Sequence, residues 1–262
     1  MGAETGKSRV SIWWLSGAAF LVLGLVVFGC EAGPRVWGMV SVRERVRKNP
    51  LLNLVPVPLA DLKRSPNLGE ELNYLGVKFR TPWGSPSAIP SRDIPAVKTV
   101  GSYTRLQFKQ GQAIAVMTNL GDSDKLTYLK KIGDAEGLRK MFGDDVPKTN
   151  YELARRIRFS RPEQASLLNG WNAFVRGNIM LTFKSGEVFK ADTGLFSFEF
   201  NDVRGFQRGD PAKSPSIMLN IFTKNDHECL LIVVETAGTQ GKVTQEDINA
   251  ILGSMEEAEA GQ

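Results

Sequence analysis

His227 is the only histidine in the chain, so a Ser-His-Asp or Cys-His relay would have to run through it. It sits in Lys224-Asn225-Asp226-His227-Glu228, a polar run between two apolar stretches that reads as a turn. Asp226, His227, Glu228 and Cys229 could be drawn as metal ligands. Neighbours along a strand point to opposite faces, however, so only alternate members of that run converge. A metal would need further ligands from distant residues, and no spacing in the chain identifies them. The expectation is an exposed turn, with no metal and no cofactor.

Other groups of chemical interest meet similar tests. Gly2-Ala3-Glu4-Thr5-Gly6-Lys7-Ser8 resembles a phosphate-binding loop, but that loop needs four residues between its glycines and this one has three. Such a loop also needs a preceding strand to aim its amides, and residue 2 leaves no room for one. Arg155, Arg156, Arg158 and Arg161 form a basic cluster. Helical spacing puts Arg155, Arg158 and Arg161 on one face, as anion-patch candidates against a plain solvated face. Glu70-Glu71 and Asp144-Asp145 are adjacent carboxylates, whereas acid/base pairs in glycosidases stand roughly 5–9 Å apart in space. Trp171 and Phe174, beside Leu167 and Leu168, have the helical spacing of a core face rather than of a ligand pocket.

The elements that would position these groups can be read from periodicity. Val77 to Arg80 alternates apolar and charged, as a strand does, and Pro82 stops it. A hairpin follows, with Leu106 and Phe108 in one arm, a turn at Gln110-Gly111, and Ile114 to Met117 in the other. Residues 123–142 and 151–157 have helical spacing, and Ser160-Arg161-Pro162-Glu163 is a capping box for a helix from Pro162 to about Val175. Phe196, Phe198 and Phe200 alternate with polar residues, Ile217, Leu219 and Ile221 repeat the pattern, and Cys229 to Val234 reads as a central strand covered on both faces. Thr244-Gln245-Glu246-Asp247 opens a last helix that turns Ile248, Ile251, Leu252 and Met255 inward. The predicted fold is α+β, a mostly antiparallel sheet with helices packed on its faces, preceded by one N-terminal transmembrane helix.

That last expectation rests on Ile12 to Cys30, 19 residues without a charge. As a helix this run would be roughly 28 Å long, close to the thickness of a bilayer's hydrocarbon core. Lys7 and Arg9 precede it and Glu31 closes it. Trp13, Trp14, Phe20, Leu25 and Phe28 would anchor it in lipid, and Trp37 lies just past its far end, as an interfacial indole would. Three outcomes stay open: an uncleaved signal-anchor, a lipoprotein, and simple cleavage near Ala32. Val27-Phe28-Gly29-Cys30 makes Cys30 the lipidation candidate, although Phe28 departs from the small residue that a lipobox prefers before its glycine. Lys7 and Arg9 favour an N-terminus inside the cell. Arg35, Arg43, Arg45, Arg47 and Lys48, beyond the segment, pull the other way. The reading adopted puts the folded domain outside the cytoplasm, on the periplasmic side if the cell is bacterial. In the other orientation the basic stretch would dock on anionic lipid.

The expected layout is a charged leader at 1–11, the membrane segment at 12–30, a proline-rich tether at 31–67 with at most one short helix around 39–48, a single globular domain at 68–256 and an acidic, fraying tail at 257–262. Net charge agrees with it. Residues 51–262 hold 26 Lys and Arg against 25 Asp and Glu, so +4 of the chain's +5 lies in the first fifty residues. A nucleic-acid binder should carry its basic excess on the folded domain, so no nucleic-acid partner is expected. Only Cys229 lies in that domain, which rules out a disulfide within it.

Tyr74-Leu75-Gly76-Val77-Lys78-Phe79, the ladder of hairpin strands, and a closing strand before Asp247-Ile248-Asn249-Ala250-Ile251-Leu252-Gly253-Ser254 resemble the PsbP-like α-β-α sandwich over about residues 68–256. That resemblance implies a non-catalytic accessory or binding protein, often extracytoplasmic, and carries over no binding residue. The expected function is therefore a membrane-anchored accessory or binding protein that touches membrane lipid and another protein. The alternatives are an enzyme that works without histidine, and a carrier of an apolar small molecule at the membrane.

Overall fold

The computed structural model describes residues 33, 36–59, 62, 68–74, 77–89, 103–118, 139, 145–161, 194–200, 203–235 and 241–258. Residues 36–48 form helix α1, and a 3-10 turn follows at Pro50–Asn53. Strands β1 (Val57–Pro58), β2 (Glu71–Tyr74), β3 (Val77–Arg80), β4 (Ser87–Ile89), β5 (Tyr103–Gln107) and β6 (Gln112–Thr118) come next. Helix α2 (Asn150–Phe159) precedes β7 (Leu195–Phe200), β8 (Val203–Arg208), β9 (Ser216–Thr223) and β10 (Glu228–Glu235). Helix α3 (Gln245–Gly253) and strand β11 (Glu256–Glu257) follow.

Eight strands make one sheet in the order β1-β7-β8-β9-β10-β6-β5-β4, and three make a second in the order β11-β3-β2. Among the described residues, β1 on β7 is the parallel pair and the other pairings are antiparallel. The fold is α+β.

Side-chain alternation explains the layers. Ile217, Leu219 and Ile221 of β9 face the same way as Cys229, Leu231 and Val233 of β10, and register pairs Cys229 with Ile221 and Leu231 with Leu219. Ile114 and Val116 of β6, Leu106 of β5 and Phe198 of β7 extend that face. Val77 and Phe79 of the second sheet and Ile248, Ile251 and Leu252 of α3 cover it. Trp83 joins the same core and meets the Phe108 ring edge-on at 5.2 Å. Helix α3 begins where its sequence predicts, with a capping box. The Thr244 hydroxyl accepts the Asp247 amide at 3.2 Å, and the Asp247 carboxylate accepts the Thr244 amide at 2.9 Å.

The opposite face of the large sheet carries Phe206 of β8 and Phe222 of β9, which pack with Tyr151 and Ala154 of α2. Strand β10 sits between β9 and β6, so its apolar run is explained. Leu231 and Val233 are fully buried on one side, and Leu230, Ile232 and Val234 are half-buried on the other.

Two segments are more structured than their sequence predicts. Part of the 31–67 stretch, read as tether, is stitched to the sheet edge. Val57 pairs with Phe196, the Leu59 amide donates to the Ser197 carbonyl at 2.8 Å, and Leu59 and Leu62 pack on the core. A two-residue strand with a proline has no periodicity to detect and fits only at an edge. At the other end, Glu256 and Glu257 pair with Lys78 and Val77 of β3, and the Thr223 hydroxyl donates to Glu257 at 2.8 Å. Met255, fully buried, draws those acidic residues against β3.

Several expectations lie outside the described residues. They are the helices at 123–142 and from Pro162 to Val175, and the whole leader and membrane segment, with Trp13, Trp14, Phe20, Leu25, Phe28 and Cys30. Among the described residues, no helix is long and apolar enough to cross a membrane.

Candidate functional site

The β9–β10 turn, which holds the lone histidine, is a structural joint. Thr223 and His227 close it, with the Thr223 amide donating to the His227 carbonyl at 2.9 Å and the His227 amide to the Thr223 hydroxyl at 3.2 Å. Asp226 takes the left-handed backbone conformation, with φ at 63°, which aspartate tolerates better than most residues. That conformation aims its carboxylate at the start of α2, where it accepts the amides of Asn150 at 2.6 Å and Tyr151 at 3.0 Å. The Thr149 hydroxyl accepts the next amide, from Glu152, at 3.1 Å. The free amides of the α2 N-terminus are thereby satisfied, and the anionic carboxylate also meets the positive end of the helix dipole.

The remaining members of the drawn metal set point elsewhere. Glu228 accepts from the Asn220 amide at 2.7 Å, and Cys229 is fully buried in the core on the other face of the strand. Among the described residues, no three His, Cys, Asp or Glu side chains stand close enough to hold a metal ion.

Replacing Asp226 by alanine is expected to cost about 2 kcal/mol, the joint loss of a helix cap and of a residue suited to positive φ. Asp226→Asn should recover part of the loss, since its amide oxygen still accepts. Urea denaturation of the three proteins measures this, and equal midpoints for wild type and Asp226→Ala would remove the joint's importance.

The arginines of α2 do not share one exposed face. Arg158 is 2% exposed, with its guanidinium 4.1 Å from the Phe206 ring centroid. Arg155 is exposed and stands 5.9 Å from the Phe159 ring, and Arg161 is exposed just past the end of the helix. Arg156 pairs with Asp145. Arg204 of β8 lies 4.1 Å over the Tyr151 ring, and that ring packs 5.9 Å from Phe206 and 5.6 Å from Phe222. Cations and rings thus interleave between α2 and the sheet, and Arg158 is a layer of that packing. Burial, and then the charge of Glu199, hold the Tyr151 phenol above its usual pKa range, with Arg155 and Arg204 opposing.

Cys229 is chemically quiet. Burial, and then Glu228, push its thiol up to about 12, from an ordinary value of 9.0. In the unfolded chain the thiol loses its proton first, so the folded state binds more protons above pH 9. The contribution of this group to stability is therefore intact below pH 9 and declines as pH rises toward about 12. Two outcomes are expected: no alkylation of native Cys229 by iodoacetamide at about pH 8, and a loss of stability with rising pH that Cys229→Ala lacks. Peptide mapping after alkylation, and urea midpoints at several pH values, check them.

An exposed cationic stripe also lies on α1. The stripe Val36, Val40, Arg43 and Arg47 recurs at helical spacing, and all four are exposed. Val42 and Val46, on an adjoining face, are buried with Leu52. Arg43, Val46 and Arg47 meet Pro50 and Asn53 of the 3-10 turn around an open groove of about 590 Å³. The Asn53 Oδ1 is buried and has no hydrogen-bond partner among the described residues. Glu44 is held by Lys48 at 2.8 Å, whose ammonium keeps its carboxyl below the usual range. Among the described residues, no carboxylate pairs with Arg43 or Arg47.

Neither the Asp226 cap nor the Arg43–Arg47 groove is anticipated by motif. The cap joins residues 75 and 76 apart in sequence. The groove's signal is in the sequence, as an i,i+4 arginine pair two residues before Asn49-Pro50, but it sits in a stretch read as tether. No protein-family model, curated protein or solved structure matches the chain.

Proposed function

We propose that this chain is a membrane-anchored, non-catalytic accessory or binding protein that presents its α+β domain at a bilayer surface. The observation that carries the reading is the run from Ile12 to Cys30, 19 residues with no charge, between Lys7-Ser8-Arg9 and Glu31. The residues that follow it support the reading. Trp37 is 68% exposed, and Val36 and Val40 are exposed beside it, at the end of α1 nearest the apolar segment.

A binding rather than catalytic role is supported by how the reactive residues are used. Asp226 caps α2, Glu228 holds Asn220, Arg158 is packed over Phe206, and the Cys229 thiol is buried and protonated. Each is occupied by the fold. The PsbP-like resemblance agrees with such a role and with an extracytoplasmic domain.

Native electrophoresis of a mild detergent extract tests the reading. The chain is expected to migrate in a stoichiometric complex with another protein. Migration as a lone monomer, together with robust turnover of generic esters, phosphates or glycosides by the pure protein, would overturn it.

A further inference from the structure

We infer that α1 and the turn after it form a seat for the phosphate of an anionic phospholipid headgroup, with Arg43 and Arg47 as its two cationic walls. The inference rests on the membrane-anchored reading but not on which side of the membrane holds the domain, since a leaflet that contains anionic phospholipid can face α1 on either side, and it names the lipid chemistry that the domain meets there.

Four observations converge on this stripe. Arg43 and Arg47 are one helical turn apart, so both guanidiniums project from the same side of α1. They line an open groove of about 590 Å³ together with Val46, Pro50 and Asn53. Neither forms a salt bridge with a carboxylate among the described residues, and the nearby Glu44 is engaged mainly by Lys48, with Arg47 a weaker electrostatic neighbour. Guanidiniums present their donors in a fork that matches phosphate oxygens, and two forks side by side along a groove suit a tetrahedral anion. Asn53, which lines the groove, adds a buried side-chain oxygen with no hydrogen-bond partner among the described residues.

The same stripe also says which phosphate. Toward the N-terminus it continues through Val40 and Val36, with Trp37 beside them, exposed apolar groups that a free phosphate ion would not need. Eleven residues lie between Cys30, where the uncharged run ends, and Val42, so this end of the helix is tethered within reach of the bilayer. Valine and tryptophan at the headgroup–acyl boundary, with arginines one and two turns further on, are the order of an interfacial helix on anionic lipid.

The test uses the full chain reconstituted in nanodiscs, and reads hydrogen exchange of the amides at 36–48. Flotation with phosphatidylcholine vesicles is measured separately, and reports anchoring alone. In nanodiscs of phosphatidylcholine with about one-third phosphatidylglycerol, those amides are expected to exchange roughly 10-fold more slowly than in phosphatidylcholine alone. Arg43→Gln with Arg47→Gln should abolish the difference without affecting flotation. Arg45→Gln with Lys109→Gln removes two charges away from the stripe and should preserve it.

A chain that floats but shows the same exchange in both lipids overturns the headgroup seat and leaves the anchor standing. A chain that does not float overturns the anchor. Equal loss in both double variants would reduce the effect to net charge, and protection by inorganic phosphate in phosphatidylcholine nanodiscs would make the groove a free-anion site. Either result overturns the seat.

Discussion

Gly205→Ala is expected to leave little folded protein at room temperature. Gly205 lies in β8, opposite Phe198 of β7 and Ile221 of β9. A methyl group placed there would stand 2.0 Å from the Asn220 carbonyl oxygen and 2.8 Å from Cζ of Phe198. The ring could turn aside, but the carbonyl belongs to the backbone of the adjacent strand. Relieving that contact means parting β8 from β9, in the middle of the eight-stranded sheet. Overpacking in a core ordinarily costs about 1–3 kcal/mol, and a backbone clash in a paired strand belongs above that range. Against a total stability of about 5–15 kcal/mol, the loss is large enough to appear in expression as well as in melting. Combining the change with Phe198→Ala should not rescue it, since the carbonyl contact remains. Gly84→Ala is the contrast: that position has open space around it but a φ of 79°, so it should cost only about 1–2 kcal/mol. Similar denaturation midpoints for Gly205→Ala and wild type would mean that the β8–β9 register is different.

Placing two arginines in the uncharged run, at Leu21 and Leu25, is expected to release the chain from membranes. Each charge near the middle of a spanning helix costs about 2.5–3.5 kcal/mol, so two disfavour insertion by roughly 10⁴-fold. The same substitutions lie far in sequence from every described strand, so the domain should keep its fold and its circular dichroism. Fractionation of cells expressing the two forms makes the comparison. Retention of the double variant in the membrane pellet would mean that the domain, not residues 12–30, holds the protein there.

Much of the sheet is legible because its strands are long enough to show their period. Phe196, Phe198 and Phe200 announce β7, Ile217, Leu219 and Ile221 announce β9, and the unbroken apolar run from Cys229 announces a strand with neighbours on both sides. Helix α3 is legible because Thr244 and Asp247 form its cap within four residues. The elements that escaped are those whose cause lies far away in the chain. Strands β1 and β11 have two residues each and exist because Leu59 and Met255 are drawn into the core. Helical spacing alone puts Arg158 beside Arg155. Only the position of Phe206 on a distant strand makes Arg158 part of the packing.

The site followed the same division. The apolar segment and the basic run after it stand out from charge counting, without any knowledge of the fold. A short helix around 39–48 is legible there, but that it covers 36–48, and that Arg43 and Arg47 share one stripe beside a turn made by Pro50 and Asn53, depends on Val42, Val46 and Leu52 burying an adjoining face. Pro50, which points to a tether, instead opens the 3-10 turn just after the helix.

Alkaline carbonate extraction of membranes from cells that make the unaltered, full-length chain bears most directly on this account. The protein should stay in the membrane pellet through high salt and carbonate, and dissolve only when detergent is added. Recovery of the intact, unprocessed polypeptide as a soluble monomer without detergent would contradict the account at its base.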